Sequence, residues 1–238
     1  MRYAAYITAA VLGVACAALV IVFCAYAYAW WIIAVALAVV IFIPLGSWLH
    51  ELGHKLFGAM AHVKTRMHFS VFGSSYCDVW TDRSKGLRSR LITTSLGGLA
   101  VNLLCIILGI IALSVHAVPV CISFVLPASV YLFVLNAFPC TLGDGDTDGM
   151  AVLGLIRLDD EAKVTLAVMS VQADAESGTP LEDIERERLE GLPQIQEDSP
   201  AYIALLKLKE QYYTATGDED AASGCRERLE ALKEYTEE

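Results

Sequence analysis

The chain is organised around residues 30–60, WWIIAVALAVVIFIPLGSWLHELGHKLFGAM, an apolar segment that carries the motif His50-Glu51-Leu52-Gly53-His54. Residues four apart lie on one face of a helix, so both imidazoles can bind one ion, most often zinc. Glu51 is placed to take a proton from a water molecule at the metal rather than to bind the metal itself. The motif therefore predicts metal-assisted hydrolysis. The alternative is a metal-free group of two histidines and a glutamate at a membrane interface.

Composition places the chain among integral membrane proteins. Of its 238 residues, 56% are hydrophobic and 18% are charged, and the mean hydropathy is +0.53. The net charge of −10 conceals two regions, because residues 1–157 carry 9 basic and 6 acidic side chains whereas residues 158–238 carry 8 and 21. We therefore expect a separate acidic domain in water after residue 157, and no nucleic-acid partner.

The first apolar run, Tyr3–Leu49, contains no charged residue and is long enough for two membrane crossings of about 20 residues each. Aromatic residues between Ala25 and Trp31 mark the break between them. Residues 1–29 are predicted to form an extra N-terminal transmembrane helix, although the same break also has the pattern of a signal-peptidase site. The second span is predicted over 30–60, with Pro44 as a kink or a local gap in hydrogen bonding.

Residues 63–82 predict a β-hairpin, because apolar and polar residues alternate over 66–71 and the turn-forming residues 73–75 follow. Such a hairpin near the active centre would offer an unpaired strand edge, to which an extended substrate segment could add. The alternative is a small lid that has no substrate role.

A second uncharged run lies between Arg90 and Asp144, and it fits two more spans over about 91–115 and 118–140. The chain is therefore predicted to cross the membrane four times, as a multi-pass protein of the cell membrane. The 61–90 loop is rich in lysine and arginine, whereas the other two connections have none. By the positive-inside rule, this loop and both termini are cytoplasmic.

The third predicted span carries a small and polar face formed by Gly97, Gly98 and Asn102. Small residues let two helix backbones approach closely, and an asparagine can form a hydrogen bond between helices. We interpret this face as a helix-packing surface.

The fourth predicted span ends at Asn136 and Pro139, and two aspartate-glycine pairs follow it at Asp144 and Asp148. The second span runs inward for about 30 Å from Trp30 to His50, at 1.5 Å per residue. The fourth span covers nearly the same distance, so these aspartates reach the depth of the two histidines. Two histidines, one carboxylate and an open position for water are typical of catalytic zinc.

The third metal ligand is predicted to be Asp148, with Asp144 as the alternative. Both aspartates follow Asn136, and Asp144 is the nearer of the two, at eight residues. Asp148-Gly149, however, precedes the apolar segment 150–156, so Asp148 can begin a helix whose backbone donors hold its carboxylate. Asp144 and Asp146 would then form a loop that supports the ligands.

The histidine motif, followed two spans later by Asn136, Pro139 and an aspartate-glycine pair, resembles the site-2 protease family of intramembrane zinc metalloproteases. The resemblance covers residues 30–155 and implies a three-span core that cleaves membrane-spanning or membrane-adjacent proteins. It also implies that His50, His54 and an aspartate hold one zinc ion, that Glu51 is the catalytic acid/base, and that Asn136 is a polar residue facing the site. The eight-residue spacing from Asn136 to Asp144 is similar to that of many members of this family, which favours Asp144. The chain departs from the family in its extra N-terminal span, in the absence of a PDZ-like insertion and in its second aspartate-glycine pair.

The acidic tail predicts a group of helices. Asp159 can cap a helix through about Gln172, and Ser199 can cap another whose first residue is Pro200. Apolar stripes before and after Gly217 predict two antiparallel helices, like a single tetratricopeptide-type unit. The tail is either a partner-binding module or a solubilising cap.

The sequence as a whole predicts an all-α membrane protein with about four transmembrane helices, a small β-hairpin insertion and a cytosolic helical C-terminal domain. Residues 30–157 form the metalloprotease core, and residues 158–238 form the acidic domain. The predicted function is hydrolysis of peptide bonds in membrane protein substrates within the lipid bilayer, with one Zn²⁺, Glu51 as acid/base and Asn136 orienting the substrate. The alternative is a membrane-anchored, zinc-stabilised scaffold that acts through its tail.

Overall fold

The computed structural model of the protein describes residues 2–27, 31–70, 75–115, 125–142 and 145–236. The chain divides into two units. One consists of Met1–Val79 with Ile92–Val152, and the other consists of Trp80–Leu91 with Leu153–Glu238. The fold is mostly helical with a small two-stranded hairpin, as the sequence predicts.

The first unit is built from long apolar helices. Helix α1 packs mainly against α4, and α2 packs against α1, α4 and the first strand of the hairpin. Val20 of α1 and Leu126 of α4 form the centre of one apolar cluster in this unit. The bounds are α1 Arg2–Ala27, α2 Trp31–Met60, α3 Leu87–Val115, α4 Val125–Ala137 and α5 Asp148–Arg157.

Helices α2 and α3 approach each other closely at a pair of glycines. A Cβ atom added to Gly53 would collide with the carbonyl oxygen of Gly97, and one added to Gly97 would collide with the carbonyl oxygen of Gly53. Only glycine permits such contact between two backbones. The crossing lies within the histidine motif, so it brings α3 directly against the predicted metal ligands.

The predicted hairpin over 63–82 is confirmed as strands β1, Lys64–His68, and β2, Tyr76–Trp80, which pair with each other. Across this hairpin, His68 Nε2 lies 2.7 Å from Asp78 Oδ2. A second antiparallel pair, β3 Thr141–Leu142 and β4 Gly145–Asp146, stands where the sequence predicts only a polar turn. The two residues between β3 and β4, one of which is Asp144, lie outside the described residues.

Helix α2 begins within one residue of the predicted second span and runs without interruption through Pro44 to Met60. Helix α3 begins one turn before the predicted 91. Helix α4 is described from Val125 to Ala137, and residues 118–124 of the predicted fourth span lie outside the described residues. Within the described ranges, one helix, Leu87–Val115, is long and apolar enough to cross a membrane. The total of four spans stays a prediction.

The second unit contains the helical tail. Its helices are α6 Asp160–Glu176, the single turn α7 Glu187–Glu190, α8 Pro200–Thr216 and α9 Glu219–Thr236, and a 3₁₀ turn covers Leu181–Asp183. The caps predicted at Asp159 and Ser199 are confirmed, since their side chains accept hydrogen bonds from the backbone N–H groups of Ala162 and Tyr202. The core of this unit is apolar, with members including Val164, Val171, Leu189, Leu205 and Leu208.

Candidate metal centre

The two motif histidines lie one turn apart on α2 and face the same point. Their rings meet edge to face at 4.8 Å between centroids, and the two Nε2 atoms are 3.1 Å apart. Both side chains are buried, with His50 4% and His54 8% exposed. The spacing of four residues thus places two potential ligand atoms side by side, as the sequence predicts.

Asp148 lies beside the two histidines and forms a group of three potential metal ligands with them. It is the first residue of α5, and its Oδ2 lies 3.1 Å from His50 Nε2 while its Oδ1 lies 3.3 Å from His54 Nε2. Ligand atoms of the three residues lie within 4.8 Å of one another, a group that can hold a metal ion. Asp144 lies outside the described residues, so the choice between the two aspartates stays a prediction.

Asp148 is held in place by its neighbour Thr147, which is buried. The Thr147 hydroxyl donates to the Phe138 carbonyl at 2.7 Å and accepts from the backbone N–H groups of Cys140 and Met150. Thr147 therefore caps α5 and ties its first turn to the chain that follows α4. The carboxylate beside it stands at the N-terminus of α5, where backbone N–H groups favour a negative charge.

The outer nitrogen of each histidine ring has a partner on α3. His54 Nδ1 lies 2.9 Å from the carbonyl oxygen of Thr94, and His50 Nδ1 lies 2.8 Å from the amide nitrogen of Asn102. A carbonyl can only accept, so His54 carries its proton on Nδ1 and presents the lone pair of Nε2 to the group of three. A carbonyl that accepts from the outer ring nitrogen is a typical partner of a histidine that binds a metal.

Two further features of the structure fit an ion at this point. Asp148 Oδ2 is buried and has no hydrogen-bonding partner among the described residues, although His50 Nε2 is near it. A Cβ atom added to Gly98 would lie 2.5 Å from His50 Cε1 and 2.6 Å from the Nε2 atoms of both histidines. The absence of a side chain at Gly98 therefore leaves space at the converging ligand atoms. The residues present fit a small cation.

Glu51 points into a cavity of about 280 Å³ beside the histidines. It is buried, with 7% of the residue exposed, and it does not belong to the group of three ligand residues. The β2 residues Tyr76, Cys77 and Val79 line the same cavity. A carboxylate that is not a metal ligand, but that lies beside a metal-binding group and lines a cavity, can act as a general base.

Asn136 and Asp146 also line this cavity. The Asn136 amide donates to the carbonyl of Leu132 on its own helix at 3.0 Å. Asp146 is exposed and accepts a hydrogen bond from the Thr141 hydroxyl at 2.7 Å, so it supports the short β3–β4 turn. Both residues lie at the site, but neither is among the three that converge.

Sequence reasoning assigned Asn102 to helix packing and gave no role to Thr94, Thr147 or Cys77. A signal for Asn102 was present, since it lies four residues after Gly98 on one helix face, and a buried amide in an apolar helix requires a partner. Thr94 acts through its backbone carbonyl, for which no side-chain signal exists. Burial, together with the negative charge of Glu51, raises the pKa of the Cys77 thiol to about 11, so it is neutral at physiological pH.

No known family model, curated protein or solved structure matches the chain.

Proposed function

We propose that the chain is an intramembrane zinc metalloprotease, as its resemblance to the site-2 protease family implies. The observation that carries the proposal is the convergence of His50, His54 and Asp148 on one point, with Glu51 beside them in a cavity. Asp148, on α5, is far along the chain from the other three residues, which all lie on α2. A purely structural metal site would not need the buried acid Glu51 next to its ligands.

Zinc is the metal that the donor set favours. Two imidazole nitrogens and one carboxylate are the ligands of many catalytic zinc sites, in which a fourth position is left to water. The hard cations magnesium and calcium prefer oxygen ligands throughout, and the group offers oxygen from Asp148 alone. A zinc ion at this site would lower the pKa of its water and polarise the scissile carbonyl.

In the proposed reaction, Glu51 takes a proton from the attacking water and later delivers it to the leaving amine nitrogen. General acid–base catalysis requires a group that reaches the reacting atoms, and Glu51 lies on the wall of the cavity. Asn136 lines the same cavity and would orient the substrate through its amide. Thr94 and Thr147 hold His54 and Asp148 so that the ligands need little rearrangement.

A peptide substrate would enter beside β2. Residues of this strand form part of the cavity wall, and β2 pairs with β1 in a sheet of two strands. An extended substrate segment that added to the edge of β2 that is unpaired among the described residues would bring its main chain past Glu51. Partial unwinding of a transmembrane substrate would supply such a segment.

The proposed setting is the bilayer, with four spans and both termini cytoplasmic. Helix α3 supports the bilayer setting, though not the number of spans, because the large apolar residues Leu103, Leu104, Ile107, Leu108 and Ile111 are 45–53% exposed on it. Gly98 and Asn102 on the same helix are buried. A helix with a wide exposed apolar face and a buried polar face is suited to contact lipid on one side and protein on the other.

The test compares the wild-type protein with Glu51→Gln, both purified at full length in detergent. We expect each to bind one zinc ion per chain, and we expect only the wild type to cleave β-casein, because an amide cannot act as a base. Casein is an unfolded probe that needs no membrane. Cleavage by the Glu51→Gln variant at the wild-type rate would show that the mechanism is wrong.

Asp148→Asn and Asp144→Asn extend the same experiment to the third ligand. We expect Asp148→Asn to lose zinc and Asp144→Asn to retain it. The reverse pattern would show that Asp144 is the ligand. The scaffold alternative predicts that Glu51→Gln is silent in cells whereas deletion of residues 196–238 is severe. The two variants therefore separate the two functions.

A further inference from the structure

Asn102 is the least exposed polar residue near the candidate metal centre, with 0% of its surface accessible. Its amide nitrogen lies 2.8 Å from His50 Nδ1, and its Oδ1 is buried without a hydrogen-bonding partner among the described residues. A buried acceptor without a donor is unfavourable, because it has lost its hydrogen bond to water. Within the described part of the chain, Asn102 Oδ1 accepts no hydrogen bond, although the neighbouring His50 ring can also donate one.

The orientation of this amide decides which nitrogen of His50 carries the proton. When Asn102 Nδ2 donates, His50 Nδ1 accepts, and a neutral ring then holds its proton on Nε2. That atom is the one that faces His54 and Asp148. In this form the side chains make a continuous hydrogen-bonded series from Asn102 through both histidines to the Thr94 carbonyl, and the Nε2 lone pair of His50 is not free to bind a metal.

We propose that Asn102 is a positioning residue that accepts the Nδ1–H of His50 and thereby directs the Nε2 lone pair of His50 toward His54 and Asp148. A half turn of the amide about its Cβ–Cγ bond places Oδ1 in the position that Nδ2 occupies, without movement of α3. The proposal rests on the metal site of the proposed function. It assigns His50 the same tautomer that the Thr94 carbonyl imposes on His54.

The proposal predicts how substitutions at Asn102 change zinc affinity. Asn102→Leu has nearly the same size but no acceptor, and it should weaken zinc binding by about 10–100-fold. Asn102→Asp supplies a carboxylate that can accept from Nδ1–H, and it should bind zinc within a few-fold of the wild type. Ser129→Ala is the matched control, since Ser129 is a fully buried polar residue on α4, and its affinity should not change.

A direct readout is the proton NMR signal of each Nδ1–H in zinc-saturated protein labelled with ¹⁵N-histidine. The His50 signal should move downfield in Asn102→Asp and upfield in Asn102→Leu, because a carboxylate is a stronger acceptor than an amide and leucine is none. The His54 signal should stay in place in both variants, since the Thr94 carbonyl is unchanged. A residue that only fills space would move neither signal.

The outcomes separate this proposal from the proposed function. If the wild type binds no zinc, the metal site itself is wrong, and the role of Asn102 falls with it. If the wild type binds zinc and Asn102→Leu binds it equally well, only the role of Asn102 is overturned. Zinc binding by Asn102→Asp that is as weak as that of Asn102→Leu also overturns it, because the amide would then act as a donor.

Discussion

Gly98 lies both at the close contact between helices α2 and α3 and at the candidate metal centre. It lies on α3 against both histidine rings, and a Cβ atom there would overlap their facing edges. Protein interiors are close-packed, so an added methyl group must displace one neighbour. The rings are each restrained by a partner on α3, Asn102 for His50 and Thr94 for His54. A methyl group at Gly98 would therefore push the ligand atoms away from the positions that those partners set.

Gly98→Ala is expected to lower zinc affinity by about 10–100-fold, the range found when the supports of metal ligands are altered. Helix formation should not suffer, because alanine is a better helix former than glycine by about 1 kcal/mol. Gly109→Ala is the matched control on α3, where the added Cβ would meet the side chain of Leu126 instead. Equal zinc titrations for both variants would contradict this account of Gly98.

Side chains outside helix α5 form hydrogen bonds with both of its ends, a threonine hydroxyl at the N-terminus and an arginine guanidinium at the C-terminus. Thr147 caps its N-terminus beside Asp148, as described above. At its C-terminus, Arg88 Nε donates to the Leu155 carbonyl and Arg88 Nη2 donates to the Ile156 carbonyl, both at 2.7 Å. The last carbonyl groups of a helix have no partner within it, so the guanidinium supplies what the helix lacks. A helix of only 10 residues is marginal alone and depends on such contacts.

Arg88→Ala should destabilise the last turn of α5 by about 1 kcal/mol, the usual net contribution of a hydrogen bond. Hydrogen exchange of the amides in that turn should then be about fivefold faster, as measured by mass spectrometry or NMR on the full-length protein. Arg83→Ala is the control, since the Arg83 guanidinium lies 3.9 Å from Asp82 and contacts no helix end that is described. Unchanged exchange in the Arg88 variant would mean that the two hydrogen bonds do not hold the helix.

For the whole molecule, the distribution of charge and apolar surface determines how the chain would lie in a membrane. The exposed apolar face of α3 requires lipid or another protein, and the acidic tail requires water. In the proposed topology, the basic 61–90 loop lies on the cytoplasmic side by the positive-inside rule. Both termini would lie on that same side.

Labelling with a membrane-impermeant maleimide tests this topology in intact cells. In a background without native cysteines, Ala117→Cys lies in the predicted outer connection between the third and fourth spans and should react before lysis. Asp82→Cys lies in the basic loop and should react only after lysis. The opposite pattern would reverse the orientation, and reaction of both positions before lysis would exclude a span between them.

Local signals account for the parts of the structure that the sequence predicted well. The caps at Asp159 and Ser199 depend on a side chain and a backbone N–H three residues away, so they can be read from a short window. The same holds for the uncharged apolar run that predicts α2 and for the alternation that predicts the hairpin. Two histidines four apart on an apolar helix also determined, without any tertiary information, that both rings would face one point.

Only the tertiary structure placed Asp148 beside those histidines and gave Asn102 and Thr94 their places as partners of the two rings. Asn102 and His50 are 52 residues apart, and Thr94 and His54 are 40 residues apart. Contacts at such separations depend on how α2, α3 and α5 pack, and in particular on the glycine crossing that brings α3 against the motif. The sequence by itself determined which residues could be ligands, because residue type and helical spacing are local. Which groups orient those ligands was decided by packing between distant segments, since a hydrogen-bonding partner is selected by distance in space.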